Sequence, residues 1–380
     1  MKKTKILLLL LAVLLVLSAG CSKESPKVDV PESDVSKEQP SLEEPDTPEE
    51  PDSAEDTTVK FTDSVGREVE LPADIERIAP SGPLAQVVLY TLCPDKLVGL
   101  ASDLSDTQFE YMDPKYKSLP VFGNFYADTL NLEAVMTAKP QVIIDIGEAK
   151  ASVNEDMQGV QDKTGIPSIF IHMELDTMAE AYRTLGKVTG EEEQAEKLAK
   201  YVEATLAEAK EKSASIPDEK RIKVYYGQGD AGLTGLVKGT VHADVIDAVG
   251  AVNVTDSQES VRGGAAEISM EQLMLWQPDV VLFAPGSIYS DVDSRVEWQG
   301  IKAVQNKKYY EIPDGPYNWM GRPPSVNRIL GIKWLGNLLY PDIYDYDMVN
   351  EAKDFYNLFY HCDITDAQIN KLLERSTLRD

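Results

Sequence analysis

The sequence has few of the side chains that hold metal ions or carry out hydrolytic chemistry. Its 380 residues include only three histidines and three cysteines, with no CxxC pair and no zinc-type spacing. The GxSxG, HExxH and phosphate-loop patterns are also absent, so nothing supports a serine hydrolase, a zinc protease or a nucleotide hydrolase. Cys93 and Cys362 could pair in an oxidising compartment, and the sequence leaves that pairing open.

Positive charge is scarce as well. Lysine and arginine together number 37 against 64 acidic residues, which gives a formal net charge of −27. Nucleic-acid binding depends on cationic side chains that neutralise phosphates, so we expect no nucleic-acid partner. A strongly acidic surface keeps a protein soluble, and solubility accounts for most of this charge.

The chain begins with a signal for export. Three lysines among the first five residues precede an apolar run over residues 6–17, which is too short to span a bilayer comfortably. The string Leu-Ser-Ala-Gly-Cys that follows is similar to the bacterial lipobox. We therefore expect residues 1–20 to be a lipoprotein signal peptide and Cys21 to carry the lipid after cleavage. Such a protein is held at the outer face of the cytoplasmic membrane.

Residues 21–58 lack aromatic side chains. They contain six prolines, and their thirteen acidic residues outnumber their three lysines. A segment of this composition cannot bury enough apolar surface to offset the entropy that ordering would cost. We therefore predict a disordered tether, which proline and charge repulsion extend away from the membrane.

The remainder of the chain alternates short apolar strands with helical segments, which is typical of parallel α/β sheets. A first lobe is predicted over 59–176 and a second over 217–380. Between them, residues 177–216 contain a long amphipathic helix, because Leu198, Val202 and Leu206 recur at helical spacing. In the first lobe the pattern indicates a hairpin at 59–71 and strands at 75–79, 96–101, 141–146 and 166–171.

The two lobes share a repeated segment. NLEAVMTAKPQVIID begins at Asn131 and SMEQLMLWQPDVVLF begins at Ser269, at an offset of 138 residues. Each contains a helix-capping residue, a glutamate in the first turn, a proline seven residues after that glutamate, and then an apolar strand. Two similar lobes create a cleft between them, and ligands of open α/β sheets bind beyond the carboxyl ends of the strands.

Together with the repeat and the lipobox, three further strings carry a family resemblance: the FTDSVGREVELP text at 61–72, YYGQGDAGLTG, and RPPSVNRILGIKWLGNLLYPD. The chain resembles substrate-binding proteins of ABC importers for iron–siderophore, haem and cobalamin-type ligands. The resemblance implies two Rossmann-like lobes joined by a single long backbone helix, with the ligand cleft between the lobes. It also implies a permease and its ATPase as partners, with Glu133 and Glu271 engaging permease arginines.

Candidate ligand-binding residues stand in the loops that follow strands. The loop PYNWMGRP is the most informative, because exposed aromatic rings can stack on a flat ligand while a guanidinium binds an anionic group. His172 and His242 are interpreted as structural residues. The predicted ligand-binding residues are Ser81, Gly82, Tyr126, Glu148, Gln228, Tyr317, Trp319 and Arg322.

With so few histidines and cysteines, we expect no metal site of the protein's own, and any metal to arrive already chelated. The leading hypothesis is a monomeric binding protein for an iron chelate, haem or a corrinoid. An alternative ligand within the same architecture is an oxyanion such as molybdate or tungstate. A secreted α/β enzyme would need a nucleophile–base pair, which the sequence lacks. A purely structural adhesin would leave the repeat unexplained.

Overall fold

A computed structural model of the protein describes residues 58–127, 129–257 and 263–378. The predicted signal peptide, Cys21 and all of the predicted tether except its last residue lie outside these residues. Within the described ranges, no helix is both long enough and apolar enough to cross a membrane.

The described chain opens with an antiparallel hairpin of β1 (Thr58–Thr62) and β2 (Glu68–Pro72). Gly66 turns the chain with a φ of 81°, which glycine adopts without steric cost. The Asp63 carboxylate accepts hydrogen bonds from the backbone amides of Val65 and Arg67 at 3.1 and 2.9 Å. The Arg67 guanidinium in turn donates to the carbonyl of Ser168 at 3.0 Å, which fastens the hairpin to the first lobe. The predicted hairpin is confirmed.

The first lobe contains a parallel sheet in the order β3-β4-β5, whose central strand is buried along most of its length. The predicted strand at 96–101 is wrong, because this segment makes only two isolated bridges, through Leu97 and Leu100. Between them Gly99 lies against the ring of Phe122, where a Cβ atom would stand 2.1 Å from the ring. The elements are β3 (Ile78–Pro80), α1 (Pro83–Leu92), α2 (Leu132–Ala138), β4 (Val142–Gly147), α3 (Val153–Thr164) and β5 (Ser168–His172).

A helical segment connects the lobes. Helix α4 (Met178–Thr189) is followed by α5 (Glu192–Ala214), whose 23 residues span about 35 Å. Helix α5 packs against α1 of the first lobe and against the preceding helix α4. Its buried positions recur every three or four residues, as an amphipathic helix requires. They are Ala195, Leu198, Ala199, Val202, Thr205 and Ala209. The predicted long helix is confirmed.

The second lobe contains a mixed sheet in the order β11-β10-β6-β7-β9, with β8 pairing the start of β6. Helix α5 also packs against two of this lobe's helices, α6 and α9, so it contacts both lobes. The elements are β6 (Lys223–Gln228), β7 (Thr234–Leu236), α6 (Asp244–Ala248), β8 (Val252–Asn253), β9 (Ala265–Glu267), α7 (Met270–Trp276), β10 (Val280–Phe283), α8 (Lys302–Gln305), β11 (Tyr309–Glu311), α9 (Asn327–Leu339), α10 (Met348–Tyr360) and α11 (Asp366–Leu373).

The sequence repeat is also a structural repeat. The side chains of Asn131 and Ser269 each accept a hydrogen bond at 3.1 Å from the backbone amide three residues later, which caps α2 and α7. Both helices end on a residue in the left-handed conformation, Lys139 with φ 47° and Gln277 with φ 43°, and a proline follows each. The two sheets remain separate, so the described chain has the predicted two-lobed α/β fold.

Candidate functional site

A cleft of about 520 Å³ lies between the two lobes. The first lobe contributes the loops that follow β4 and β5, together with the turn at 124–127. The second lobe contributes residues that precede α6 and residues at the start of α9. The charged and polar lining includes Asp145, Glu148, Lys150 and Asp156 from the first lobe and His242 and Arg328 from the second. The cleft therefore stands where the resemblance implied it.

Asp145 is the most buried acid of the first-lobe wall. It stands on β4 beside Phe170 of β5, and its carboxylate accepts a hydrogen bond from the Ser81 hydroxyl at 2.5 Å. Burial raises the pKa of Asp145 above its ordinary value, against the opposing effect of that hydrogen bond. Burial and the nearby Asp145 carboxylate likewise raise the pKa of Tyr126, whose hydroxyl contacts the Met157 sulfur at 2.9 Å.

Arg328 is the buried cation of the opposite wall, with no exposed surface. Its Nη1 donates to the Asp244 carboxylate and, at 3.4 Å, to the carbonyl of Val241. Its Nε donates to the carbonyl of Ser325 at 3.3 Å. Burial raises the pKa of Asp244 to about 6, although the charge of Arg328 opposes the shift. The remaining nitrogen, Nη2, is buried and has no hydrogen-bond partner among the described residues.

His242 also lines the cleft, although its sequence position suggested a structural residue. Its Nδ1 lies 2.7 Å from the carbonyl oxygen of Gly321. A carbonyl can only accept, so Nδ1 carries the proton and a neutral ring keeps Nε2 as an acceptor. Burial lowers the pKa of His242, and the charges of Arg322 and Arg328 lower it further. The neutral imidazole is therefore the favoured form near pH 7.

The structure brings some of the predicted ligand-binding residues together and separates others. Tyr126 and Glu148 line the cleft. Ser81 lies behind the cleft wall, where its hydroxyl donates a hydrogen bond to the cleft residue Asp145. Gly82 starts α1 next to the cleft residue Asn124, since a Cβ on Gly82 would stand 3.8 Å from the Asn124 amide.

Gln228 and Arg322 lie outside the set of residues that line the cleft. Gln228 ends β6, half-buried, and its side-chain nitrogen has no partner among the described residues. Arg322 is exposed on the second lobe, close enough to His242 for its charge to affect the pKa of that ring.

The expectation that Tyr317 and Trp319 offer exposed rings to a ligand is wrong. Trp319 is fully buried, and its carbonyl oxygen would lie 1.9 Å from a Cβ atom on Gly331 of α9. Tyr317 is also buried, and its hydroxyl accepts a hydrogen bond from the Gln86 side chain at 3.3 Å. The Asn318 side chain accepts from two backbone amides further along the loop, which turns the loop so that both rings pack into the core.

Glu133 and Glu271 are exposed on the first turns of α2 and α7. Neither forms an ion pair with another described residue. The described residues also contain no group of three or more histidine, cysteine or acidic side chains arranged to hold a metal ion. Cys93 and Cys362 are both free thiols.

Sequence reasoning missed three of the residues that define the cleft walls. Asp145 is the only charged residue in an otherwise apolar strand, two residues before the strand's carboxyl end, and that position was the available signal. Arg328 lies in a mostly apolar, buried helix that contains one other cation, Lys333, and a buried cation must find partners. His242 carried no comparable signal, because its role depends on the distant carbonyl of Gly321.

Known proteins resemble this chain over most of its length. The family model described as a periplasmic binding protein matches residues 88–316. A solved ABC transporter solute-binding protein from Sulfurospirillum deleyianum is 31% identical, with a TM-score of 0.76, over 83% of this chain and 99% of that one. The molybdate-binding protein of Haemophilus influenzae is 22% identical over 330 residues, which cover 79% of this chain and 90% of that protein.

A third relative is the vitamin B12-binding protein of Vibrio cholerae. It is 24% identical over 262 residues, which cover 66% of this chain and 85% of that protein. The chain therefore belongs to the periplasmic binding protein family, and it is an extracytoplasmic substrate-binding protein of an ABC importer rather than an enzyme.

Proposed function

We propose that the cleft captures a compact metal chelate of the iron–siderophore class, with no net negative charge, and delivers it to the permease. The observation that carries this proposal is the charge of the two walls. Among the residues that the structure describes, the lining includes the carboxylates of Asp145, Glu148 and Asp156 but only two cations, Lys150 and Arg328. Arg328 is moreover paired with Asp244. A neutral or cationic ligand complements such a cleft better than an anion does.

The chelate must also offer at least one acceptor oxygen. The buried Nη2 of Arg328 has no partner among the described residues, and a buried donor without an acceptor costs about 1–3 kcal/mol. Nη2 is covered in the ligand-free protein, so a chelate oxygen recovers that cost on binding when the covering side chains move aside and let it reach this nitrogen. Metal-binding hydroxamates, catecholates and carboxylates carry oxygens of this kind on their outer surface.

The lining favours a compact ligand over a flat macrocycle such as haem or a corrinoid. Tyr317 and Trp319 are buried, so neither can stack on a ring. The aromatic residues that line the cleft are Tyr126 and Phe170, and Phe170 is itself buried. A single exposed ring cannot sandwich a macrocycle, whereas polar walls around about 520 Å³ suit a small polar chelate.

A molybdate or tungstate oxyanion is the second candidate. It is favoured by the similarity to a molybdate-binding protein and by the unpartnered donor of Arg328. A dianion would, however, lie next to three carboxylates, including the half-buried Asp145. This repulsion favours the chelate over the oxyanion.

A thermal-shift panel tests the proposal. The purified protein is heated with ferric hydroxamate, catecholate and citrate complexes, haem, cobalamin, molybdate and tungstate. A ligand at one hundred times its Kd stabilises a protein by about 2.7 kcal/mol. We expect the uncharged ferric hydroxamate complex to raise the Tm more than the anionic catecholate and citrate complexes do, and the shift to shrink in Asp145→Asn but not in the exposed control Asp342→Asn. A Tm raised by molybdate or tungstate alone would establish the oxyanion instead.

We further propose that the protein is a monomer whose lipid-bearing Cys21 holds it at the membrane, and that Glu133 and Glu271 dock the permease. One exposed carboxylate on each lobe suits a partner that offers two basic sites. We expect Glu133→Lys/Glu271→Lys to abolish uptake while ligand binding is unchanged. The matched control reverses two other exposed glutamates, Glu211 and Glu374. Normal uptake by the first pair would remove the docking role.

The lipid anchor has its own test. Cys21→Ser should move the protein from the membrane fraction to the soluble fraction and abolish the incorporation of labelled fatty acid. Retention of the label would show that the lipid is attached elsewhere.

A further inference from the structure

Exposed apolar side chains are concentrated on the two repeat helices. The large hydrophobic residues exposed among the described residues are Val59, Tyr126, Leu132, Met136, Met274, Leu275, Val296 and Leu378. Half of them lie on α2 and α7, which have only seven residues each. Val296 belongs to the turn Val296–Gly300, which packs against α7. Scattered exposed apolar residues need no explanation, but a concentration of this kind marks an interaction surface.

The two helices expose methionine at the same position of the repeat. Met136 follows Glu133 by three residues and Met274 follows Glu271 by three residues. Residues three apart lie on the same face of a helix, so each lobe presents one carboxylate with one thioether beside it. Met136 is 50% exposed and Met274 is 38% exposed.

The core does not require these methionines. The buried residue of α2 is Val135 and the buried residue of α7 is Leu273. Each immediately precedes its methionine and supplies the contact with the lobe. On the second lobe, Gly300 leaves room for Met274, because a Cβ there would stand 2.5 Å from the Met274 methyl. The Met274 side chain therefore packs against Gly300 on one side and is exposed to solvent on the other.

We propose that the permease of the importer docks on both lobes through these carboxylate–methionine pairs. In each pair the carboxylate binds a basic side chain of the permease, and the methionine enters an apolar pocket beside it. The proposal rests on the docking role proposed above for Glu133 and Glu271. Equivalent pairs on two similar lobes fit a partner with two equivalent halves, each with a basic residue next to apolar ones.

The charge of the chain favours this partner over the lipid surface. A protein with a formal net charge of −27 is repelled by anionic lipids, and the methionines stand directly beside carboxylates. On the first lobe, a groove of about 470 Å³ adjoins Glu133 and is lined partly by Val98, Pro120 and Ala134. It has room for a permease side chain next to the carboxylate.

Methionine also suits a surface that must bind in more than one geometry. Its unbranched side chain has three rotatable bonds and adapts to pockets of irregular shape. The angle between the lobes differs between the free and ligand-bound forms of a protein that closes on its ligand. Flexible apolar contacts can follow that change while each carboxylate keeps its basic partner.

Binding to the purified permease–ATPase complex tests the proposal. The complex is held in phosphatidylcholine nanodiscs, and the protein is titrated against it by interferometry, with Cys21→Ser in the reference protein and in every variant so that no lipid anchor binds the discs. The test variant is Met136→Gln/Met274→Gln, which keeps side-chain length but removes apolar character. The matched control is Val59→Gln/Leu378→Gln, since these residues are 50% and 55% exposed on other elements. Empty nanodiscs measure binding to lipid alone.

We expect the methionine variant to bind at least tenfold more weakly than the wild type, with an unchanged Tm, while the control pair retains wild-type affinity. Each single methionine variant should lose a comparable share of the binding free energy, because the two sites are equivalent. Wild-type affinity in the methionine variant would overturn the apolar contact, and loss of binding in Glu133→Lys/Glu271→Lys would then leave the carboxylate docking intact. Equal binding to empty nanodiscs would assign the surface to lipid and overturn the permease as occupant. A wild-type protein that fails to bind the complex would overturn the docking role itself.

Discussion

Replacing Arg328 by methionine removes the cation of a buried ion pair and leaves its acceptors in place. The carboxylate of Asp244 and the carbonyls of Val241 and Ser325 all lose their hydrogen-bond donor. Breaking a buried pair by removing one partner costs about 3–5 kcal/mol, and the fully buried position of Arg328 places this site near the middle of that range. We therefore expect the free energy of unfolding to fall by about 4 kcal/mol at pH 7.5.

The loss should be smaller in acid. The pKa of Asp244 is about 6 in the folded protein, above the ordinary value of 3.8. Between these values the folded state binds more protons than the unfolded state, so Asp244 favours folding in acid and this contribution is lost as the pH rises through about 6. At pH 5 the Asp244 carboxyl is mostly protonated, so it carries little negative charge for Arg328 to neutralise. Removing Arg328 therefore costs less at pH 5 than at pH 7.5.

Urea unfolding at pH 5 and pH 7.5 measures both effects. The set is the wild type, Arg328→Met, Asp244→Asn and the double variant. We expect the double variant to recover at least about 2 kcal/mol of the loss at pH 7.5, because no unpaired charge stays buried. An equal loss at the two pH values, or a loss below about 1 kcal/mol at pH 7.5, would refute this account of the pair.

Four further predictions concern the cleft and its support. Asp145→Asn should raise the Tm of the ligand-free protein at pH 7, because burial disfavours the charged carboxylate, yet lower the affinity for a ferric chelate at least tenfold by calorimetry. In the wild type, that affinity should fall on acidification at a higher pH than an ordinary aspartate would give. Gly331→Ala should cost about 1–3 kcal/mol in thermal unfolding, since its Cβ would meet the Trp319 carbonyl at 1.9 Å. Arg322 lies outside the cleft lining, but its charge acts on the cleft residue His242, so Arg322→Ala should weaken ligand binding measurably; unaltered affinity would show that its loop faces away from the ligand.

The two-lobed fold could be predicted because its signals are local and repeated. The caps at Asn131 and Ser269, the glutamates and the prolines recur at a fixed offset. The long helix follows from apolar spacing alone. The segment at 96–101 was predicted wrongly because a short apolar run does not reveal that a neighbouring ring occupies the space beside Gly99.

The cleft was less predictable, because exposure depends on contacts between distant parts of the chain. Trp319 and Tyr317 have the composition of a ligand-binding loop, but whether their rings face the solvent is decided by α9 and by Gln86 of the first lobe. Similarly, Arg328 reaches the cleft because Asp244, in the first turn of α6 and more than eighty residues earlier, holds its guanidinium.

A crystal structure with the ferric chelate that most raises the Tm would test the central claim, that the cleft between the lobes is the ligand site. We predict that the chelate lies between the two walls, with an oxygen atom within about 3.2 Å of the Arg328 Nη2 nitrogen and its metal-bearing side towards Asp145. A chelate bound outside the cleft, or one that contacts neither residue, would contradict the account.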